Sequence, residues 1–291
     1  MTDAGRFAGR TLLITGSTGM AASAARRAAA EGGFVFLVSR TTSHVEALAA
    51  EIAGSGGACA WHAADLRRED EVEVAFATLD GLGRRLDAVY SVAGISARGE
   101  GDGPLDQATL GGWEAVMASN ATSQFLVCRA AVRRMLLQDA DEHGSRGALL
   151  LMSSTLATHP SPAFFATHGY AAAKGAIESL ARAMAAHYAP DGIRVNAIAP
   201  SLIATPMSRR AQDDPGILGY LARKQPLAGG PIDAEAVTAM ALHLLSREAA
   251  MVTGQVVAVD GGWGVSESGA GAAGVARRQQ SARDPVDGSH Q

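Results

Sequence analysis

The chain has 291 residues, 47% hydrophobic and 19% charged, with 25 basic against 29 acidic side chains and a net charge of −4. That apolar content excludes global disorder, and the slightly acidic balance argues against a nucleic-acid binder, which carries a basic stripe. No apolar run approaches the ~18 residues of a membrane span, and the start, Met1–Gly16, lacks the pattern of a secretory signal. Two cysteines, Cys59 and Cys128, form neither a disulfide framework nor a metal cluster, so a cytoplasmic globular protein with no membrane or nucleic-acid partner is expected.

In chain order, short apolar runs without alternation fall at Thr11–Thr15, Phe34–Val38, Ala58–His62, Leu86–Val92, Ala148–Met152, Val195–Ala199 and Val256–Val259. Strands covered on both faces read this way. Between them lie segments of helical period, many rich in alanine: Ala21–Ala30, Val45–Ile52, Glu69–Leu79, Trp113–Leu137, Ala171–Tyr188 and Ala234–Leu245. Strand alternating with helix predicts an α/β fold, a Rossmann-type doubly wound parallel sheet of about seven strands with helices on both faces. The pattern stops near Gly264. One domain over residues 7–264 is expected, followed by a disordered tail, 265–291, of Gly, Ala, Ser, Arg and Gln without periodicity.

The first strand runs into Gly16-Ser17-Thr18-Gly19-Met20 and then an alanine-rich helix. Glycines at such a turn let backbone approach a pyrophosphate, whose charge the helix N-terminus favours. No Gly-Lys-Ser/Thr follows, which disfavours an ATPase or kinase P-loop. The second strand ends in Ser39-Arg40, where an NAD-preferring protein commonly carries a carboxylate for the adenosine ribose. Here the charge is positive instead, which suits a 2′-phosphate and so NADP, with NAD as the alternative. Asp65, after the third run, is a candidate acceptor for the adenine amine.

Towards the other end, Ser153-Ser154 closes a strand, Tyr170-x-x-x-Lys174 opens a long helix, and Ile193-Arg194-Val195-Asn196-Ala197-Ile198-Ala199-Pro200 follows. The chain closes this pattern with Thr253-Gly254-Gln255 through Asp260-Gly261-Gly262, and Asn120 stands upstream in Ala118–Thr122. With these motifs the chain resembles the short-chain dehydrogenase/reductase family, essentially throughout to Gly264, with 3-oxoacyl reductases as the nearest functional analogue. The resemblance implies an enzyme that interconverts a ketone and a secondary alcohol, with Asn120, Ser154, Tyr170 and Lys174 as its catalytic set. It also implies cofactor contacts at Gly16, Ser17, Thr18, Gly19, Met20, Ser39, Arg40, Asp65, Leu66, Ala93, Gly94, Tyr170, Lys174, Pro200, Ile203 and Thr205, and a homotetramer or homodimer. A tyrosine with pKa ≈ 10 exchanges protons poorly near neutrality, and an ammonium one turn away should lower that value.

The chain has only two lysines, and each follows a tyrosine by four residues, Tyr170/Lys174 and Tyr220/Lys224. Tyr220 lacks a serine-bearing strand before it, so its pair reads as a coincidence in a segment covering the substrate. The chain departs from the family at several points. Met20 and Ala22 replace later glycines of the loop, Ser91-Val92-Ala93-Gly94 replaces Asn-Asn-Ala-Gly, and three extra residues lie between Ser154 and Tyr170. Ser96–Gly103, His159–Ala166 and Met207–Ile232 are the least family-like stretches. A rival reading is a dinucleotide-sensing protein that kept the fold without turnover; the altered glycine loop favours it and the intact set of four disfavours it.

Overall fold

The computed structural model describes residues 5–266. Seven strands form one parallel sheet: β1 (Thr11–Thr15), β2 (Phe34–Ser39), β3 (Ala58–Ala63), β4 (Ala88–Ser91), β5 (Gly147–Met152), β6 (Ile193–Pro200) and β7 (Val256–Val259). Their spatial order is β3-β2-β1-β4-β5-β6-β7, with every pairing parallel. The order reverses at β1, whose neighbours are β2 and β4, so the loops leaving β1 and β4 diverge and open a crevice at the C-terminal edge of the sheet.

Successive strand side chains point to opposite faces, and both faces of the inner strands β1, β2, β4, β5 and β6 are dry. Leu12, Ile14, Val35, Leu37 and Leu150 pack with α1 (Gly19–Ala30), α2 (Thr42–Gly54) and α9 (Ala234–Leu245). Leu13, Phe36, Val38, Leu149 and Leu151 pack with α3 (Glu69–Asp80), α5 (Ser123–Leu137) and α6 (His168–Tyr188). This two-sided burial is why the strands read as unbroken apolar runs. The alanines of α1 are the other half of that logic: Ala21, Ala22, Ala24, Ala25, Ala28 and Ala29 are all buried, since small side chains let the helix lie close to the sheet and to α9 at once.

Three features differ from the expectation. The segment Trp113–Leu137 is not one helix: α4 (Leu110–Val116) passes through a π-helical turn, Met117–Thr122, into α5. The turn contains neither Pro nor Gly, so periodicity alone gives no sign of it. What widens it is tertiary, because Asn120 is drawn inward to donate to the carbonyls of Val116 and Ile95, both at 3.0 Å. Two short helices after β6, α7 (Arg209–Gln212) and α8 (Pro215–Lys224), lie in the stretch given no element by pattern. Finally, Val265 and Ser266 do not belong to a tail: Lys224 Nζ donates to the Ser266 carbonyl at 2.8 Å, and Ser266 Oγ donates to the Lys224 carbonyl at 3.0 Å. The remaining tail, 267–291, lies outside the described residues. No described helix is long and apolar enough to cross a membrane.

The inner strand β5 should be unforgiving, since Leu150 is fully buried there. Leu150→Ala is expected to cost about 2–5 kcal/mol by lost transfer energy plus a cavity, measured by denaturant unfolding.

Candidate active site

Every side chain of interest comes from the C-terminal edge of the sheet. The turn after β1 takes Gly16 at φ 96° and Gly19 at φ 54°, both left-handed and both suited to glycine. A side chain at Gly19 would press on Thr205, with its Cβ 3.0 Å from that methyl group. Thr18, at the start of α1, makes no side-chain cap, so the first N–H groups of this 12-residue helix are left to an anion. Thr15 Oγ1 accepts from the backbone N–H of Val92 at 2.9 Å and of Ala93 at 3.0 Å. That hydroxyl holds the β4 exit where the family's asparagines are missing. The cleft between these turns has a volume of about 340 Å³ and is lined by Gly16–Met20, Ser39, Arg40, Asp65, Leu66, Ala93 and Gly94. The bare backbone, the uncapped helix start and the elongated cleft fit a dinucleotide.

At the adenosine end the structure alters one expectation. Asp65 is not a free acceptor: its carboxylate receives Arg67 Nε at 2.9 and 3.0 Å and the Arg67 backbone N–H at 3.1 Å. The side-chain pairing with Arg67 holds the Asp65 carboxyl below its ordinary range. The charge at this rim is therefore carried by Arg40, since Arg67 and Asp65 cancel. Ser39 Oγ pairs with Ser17 Oγ at 3.0 Å, tying the end of β2 to the glycine turn. Arg67 and His44 also line this cleft and were not singled out from the sequence; nothing but their position beside Asp65 and Arg40 could have marked them.

A second cavity, of about 200 Å³, adjoins the first through shared walls at Met20, Gly94 and Thr205 and contains Asn120, Ser154, Tyr170 and Lys174. Thus the four residues that the sequence proposed as a set do meet. Pro200 and Ile203 line this second cavity as well. The β5 exit sorts its two serines: Ser153 Oγ turns to α6, donating to Glu178 Oε1 at 2.9 Å, while Ser154 lines the cavity with Tyr170, its Oγ accepting from the Leu156 N–H at 3.2 Å. Lys174 is 2% exposed, and its Nζ donates to the Met152 carbonyl at 2.9 Å. Asn120 is fully buried and its Oδ1 lacks a partner. That oxygen faces Gly94, where an added Cβ would come within 2.4 Å of it and 3.7 Å of Lys174 Nζ.

Burial dominates the proton affinities here. It pushes the Tyr170 phenol up to about 12, against which the neighbouring Ser154 hydroxyl acts downward. It pushes Lys174 down to about 7. The expected lowering of the phenol by its lysine neighbour is therefore not the leading effect in the protein alone: the ammonium is directed at Met152, 5.4 Å from the Tyr170 ring centre, and loses charge itself through desolvation.

Asp102 carries no mark in the amino-acid pattern. Its buried carboxylate accepts from the backbone N–H groups of Gly169 at 2.9 Å and Tyr170 at 3.0 Å. These are orphan donors of the first turn of α6, whose own boundary residue Thr167 makes no side-chain cap. Asp102 is thus a cap supplied from 67 residues away, and it fixes the turn that carries Tyr170. The loop that delivers it is tight: Ala97 sits at φ 44°, the one non-glycine in left-handed conformation among the described residues, and Gly101 at φ 99°. The second tyrosine–lysine pair lies outside the lining of this cavity. Tyr220 accepts from Ser161 Oγ at 2.9 Å, and Lys224 lies over the Trp263 ring. His168 is exposed at the start of α6 and outside the cavity lining.

The comparisons agree with this geometry. The family model described as enoyl-(acyl carrier protein) reductase, a short-chain alcohol dehydrogenase model, matches residues 14–264. The chain is 34% identical to a glucose 1-dehydrogenase of Gluconobacter oxydans, over 88% of its length and 92% of the relative's. It is 30% identical to a D-threitol dehydrogenase of Mycolicibacterium smegmatis, over 89% and 94%. A solved structure from Beutenbergia cavernae, assigned as an NAD(P)-dependent gluconate 5-dehydrogenase with NADP at low occupancy, superposes with a TM-score of 0.78 at 31% identity, covering 88% of this chain and 97% of its own. The chain belongs to the short-chain dehydrogenase/reductase family, and it is an NAD(P)-dependent oxidoreductase acting on alcohol and carbonyl groups.

Two outcomes follow from the site's electrostatics. Removing the cap by Asp102→Ala leaves two buried N–H groups unpaired and is expected to cost about 1–3 kcal/mol. It should lower kcat about tenfold with little change in cofactor KM, and Asp102→Asn should recover part of both; steady-state kinetics and thermal unfolding read the two effects. For Lys174, the folded pKa of about 7 lies below the ordinary 10.5. Between those values the unfolded chain binds more protons, so stability rises with pH, and the cost of the buried ammonium is complete below about pH 7. Lys174→Met is therefore expected to raise Tm most at pH 6 and least near pH 10, measured by scanning calorimetry across that range.

Proposed function

We propose that the enzyme interconverts a ketone and a secondary alcohol, with Tyr170 as the proton donor and acceptor, within one catalytic unit spanning residues 7–264. The observation that carries this reading is the convergence of Ser154, Tyr170, Lys174 and Asn120 on one cavity that opens into the dinucleotide cleft. The dinucleotide, when bound, supplies or takes the hydride at its nicotinamide. Ser154 holds the substrate oxygen beside the Tyr170 phenol. In reduction Tyr170 gives its proton to that oxygen, and in oxidation it receives one. Lys174, close to half-protonated at neutral pH, is suited to hold the nicotinamide ribose and to return the proton. The unpartnered Oδ1 of Asn120 faces the same spot and is an acceptor for a water that links Lys174 to solvent.

The preferred cofactor in this reading is NADPH over NADH. No carboxylate stands at the end of β2, Asp65 is neutralised by Arg67, and Arg40 is left to meet a 2′-phosphate. The exposed apolar side chains Phe125 and Leu136 of α5, near a shallow groove between Phe125 and Leu180, support assembly into a homodimer or homotetramer. Two unpaired thiols, pushed up to about 11 at Cys59 and about 12 at Cys128 by burial, support a reducing, cytoplasmic setting.

Tyr170→Phe is expected to remove nearly all turnover with ketones while leaving dinucleotide affinity within a few-fold, and Tyr220→Phe to do far less; a more damaging Tyr220→Phe in single-turnover kinetics would overturn the assignment. Arg40→Ala should reduce kcat/KM for NADPH about tenfold, as expected for a charge-assisted phosphate contact of about 1.5 kcal/mol, with a smaller loss for NADH. Equal losses, or a wild type that prefers NADH, would sink the cofactor assignment.

A further inference from the structure

Arginine supplies 23 of the 25 basic residues, and in most of the described chain it is neutralised. Many guanidiniums sit against carboxylates, as Arg26 does with Glu51 and Arg134 with Asp80. Others spend their donors on backbone carbonyls, as Arg194 does with Leu244, Ser246 and Val252. Two arginines on separate elements keep donors free of carboxylates and share one cavity. Arg98 lies in the short turn Arg98–Glu100 after β4, and Arg210 lies on α7 after β6. Both line the cavity that holds Ser154 and Tyr170, and no aspartate or glutamate lines it with them.

Arg98 uses one amino group on the Phe164 carbonyl at 2.9 Å, leaving its other donors free. Among the described residues Arg210 has neither an ion pair nor a side-chain hydrogen bond. The two charges sense each other: burial lowers the pKa of Arg98 from its ordinary value, Arg210 lowers it further, and Asp102 acts the other way. Asp102, the smaller of these two charge effects, offsets Arg210 only in part. Like charges facing one space without a counterion raise the energy of the empty cavity, and an anion of the right shape removes that cost. The same wall presents apolar side chains as well, among them Leu156, Phe165, Leu202, Met207 and Trp263. Both arginines fall in stretches where the sequence departs from its family, and Arg98 grips the third such stretch through Phe164.

We propose that Arg98 and Arg210 form a carboxylate clamp, and that the natural substrate is an oxo or hydroxy acid whose apolar body rests on Phe165 and Trp263. The proposal rests on the ketone–alcohol reading above. The guanidinium fork matches a carboxylate in two parallel hydrogen bonds, which a point cation does not do. In the reduction, the oxo acid gains a hydride at the carbonyl carbon and a proton at its oxygen, NAD(P)H becomes NAD(P)⁺, and the carboxylate is unchanged. The clamp orients the carbonyl toward Ser154 and Tyr170 by holding the far end of the molecule.

The test compares 4-acetylbenzoate with its neutral methyl ester. Two quantities are measured: kcat/KM at saturating cofactor, and Kd by calorimetry on enzyme loaded with NADP⁺. The clamp predicts at least a tenfold preference for the acid in both, shrinking as salt screens these half-open charges. Arg210→Gln, at an exposed position with no partner to lose, should bring the acid-to-ester ratio close to one. Arg210→Glu should reverse the ratio in favour of 4-(aminomethyl)acetophenone. Equal efficiency for acid and ester in wild type, or a ratio unmoved by Arg210→Gln in a variant with wild-type Tm, overturns the clamp and leaves the ketone–alcohol reading standing. Tight binding of the acid without turnover of any ketone keeps the clamp and overturns that reading.

Discussion

The site is organised around one costly object, the Lys174 ammonium brought inside the protein at the end of the sheet. It is almost without exposure and, within the described protein, its charge is answered by a single carbonyl, that of Met152. Burying a cation costs free energy unless it is paired, and an unpaired one yields by giving up its proton more easily. That is the state here, with Lys174 brought to about 7. Its surroundings keep the position open. Gly94 leaves room for Asn120 Oδ1 and Lys174 Nζ, and the π-helical turn carries Asn120 inward to the same point.

Tyr170 is held from the other side. Its helix begins without a cap of its own, and Asp102 supplies one from the loop after β4. That loop also carries Arg98, which reaches the segment between Ser154 and Tyr170 through the Phe164 carbonyl. Substrate-facing loops and the proton-transferring helix are therefore mechanically joined. A ligand that reorients Arg98 pulls on the same short stretch of chain that fixes the first turn of α6. Catalytic geometry of this kind depends on support from residues that never meet the substrate.

Much of the fold was legible because its physics is local in sequence. Strands dry on both faces leave unbroken apolar runs such as Leu12–Ile14 and Leu149–Leu151, and helices pressed to the sheet leave alanines. The set Asn120, Ser154, Tyr170 and Lys174 was legible through its spacing and through a family pattern. What escaped was set by distant contacts. The π-helical turn at Met117–Thr122 exists because Asn120 reaches Ile95, and no periodicity encodes that bond. Asp102 sits in a loop of glycines and reads as an ordinary turn residue until Gly169 and Tyr170 are placed above it. Asp65 looked like a free acceptor because its partner, Arg67, is recognisable only once the side chains are folded together. The expected lowering of the Tyr170 phenol by Lys174 failed for a related reason: burial is invisible in a four-residue spacing, and here burial outweighs the neighbour.

The central claim, a lysine held at neutrality by burial, is open to one direct measurement. The chain contains only two lysines, so the protein made with ¹³Cε-lysine gives two side-chain signals for NMR, and Lys174→Met identifies which belongs to Lys174. The account predicts that this signal titrates with a midpoint near pH 7 in the protein free of cofactor. A Lys174 signal that stays in its ammonium position up to pH 9.5 would contradict it.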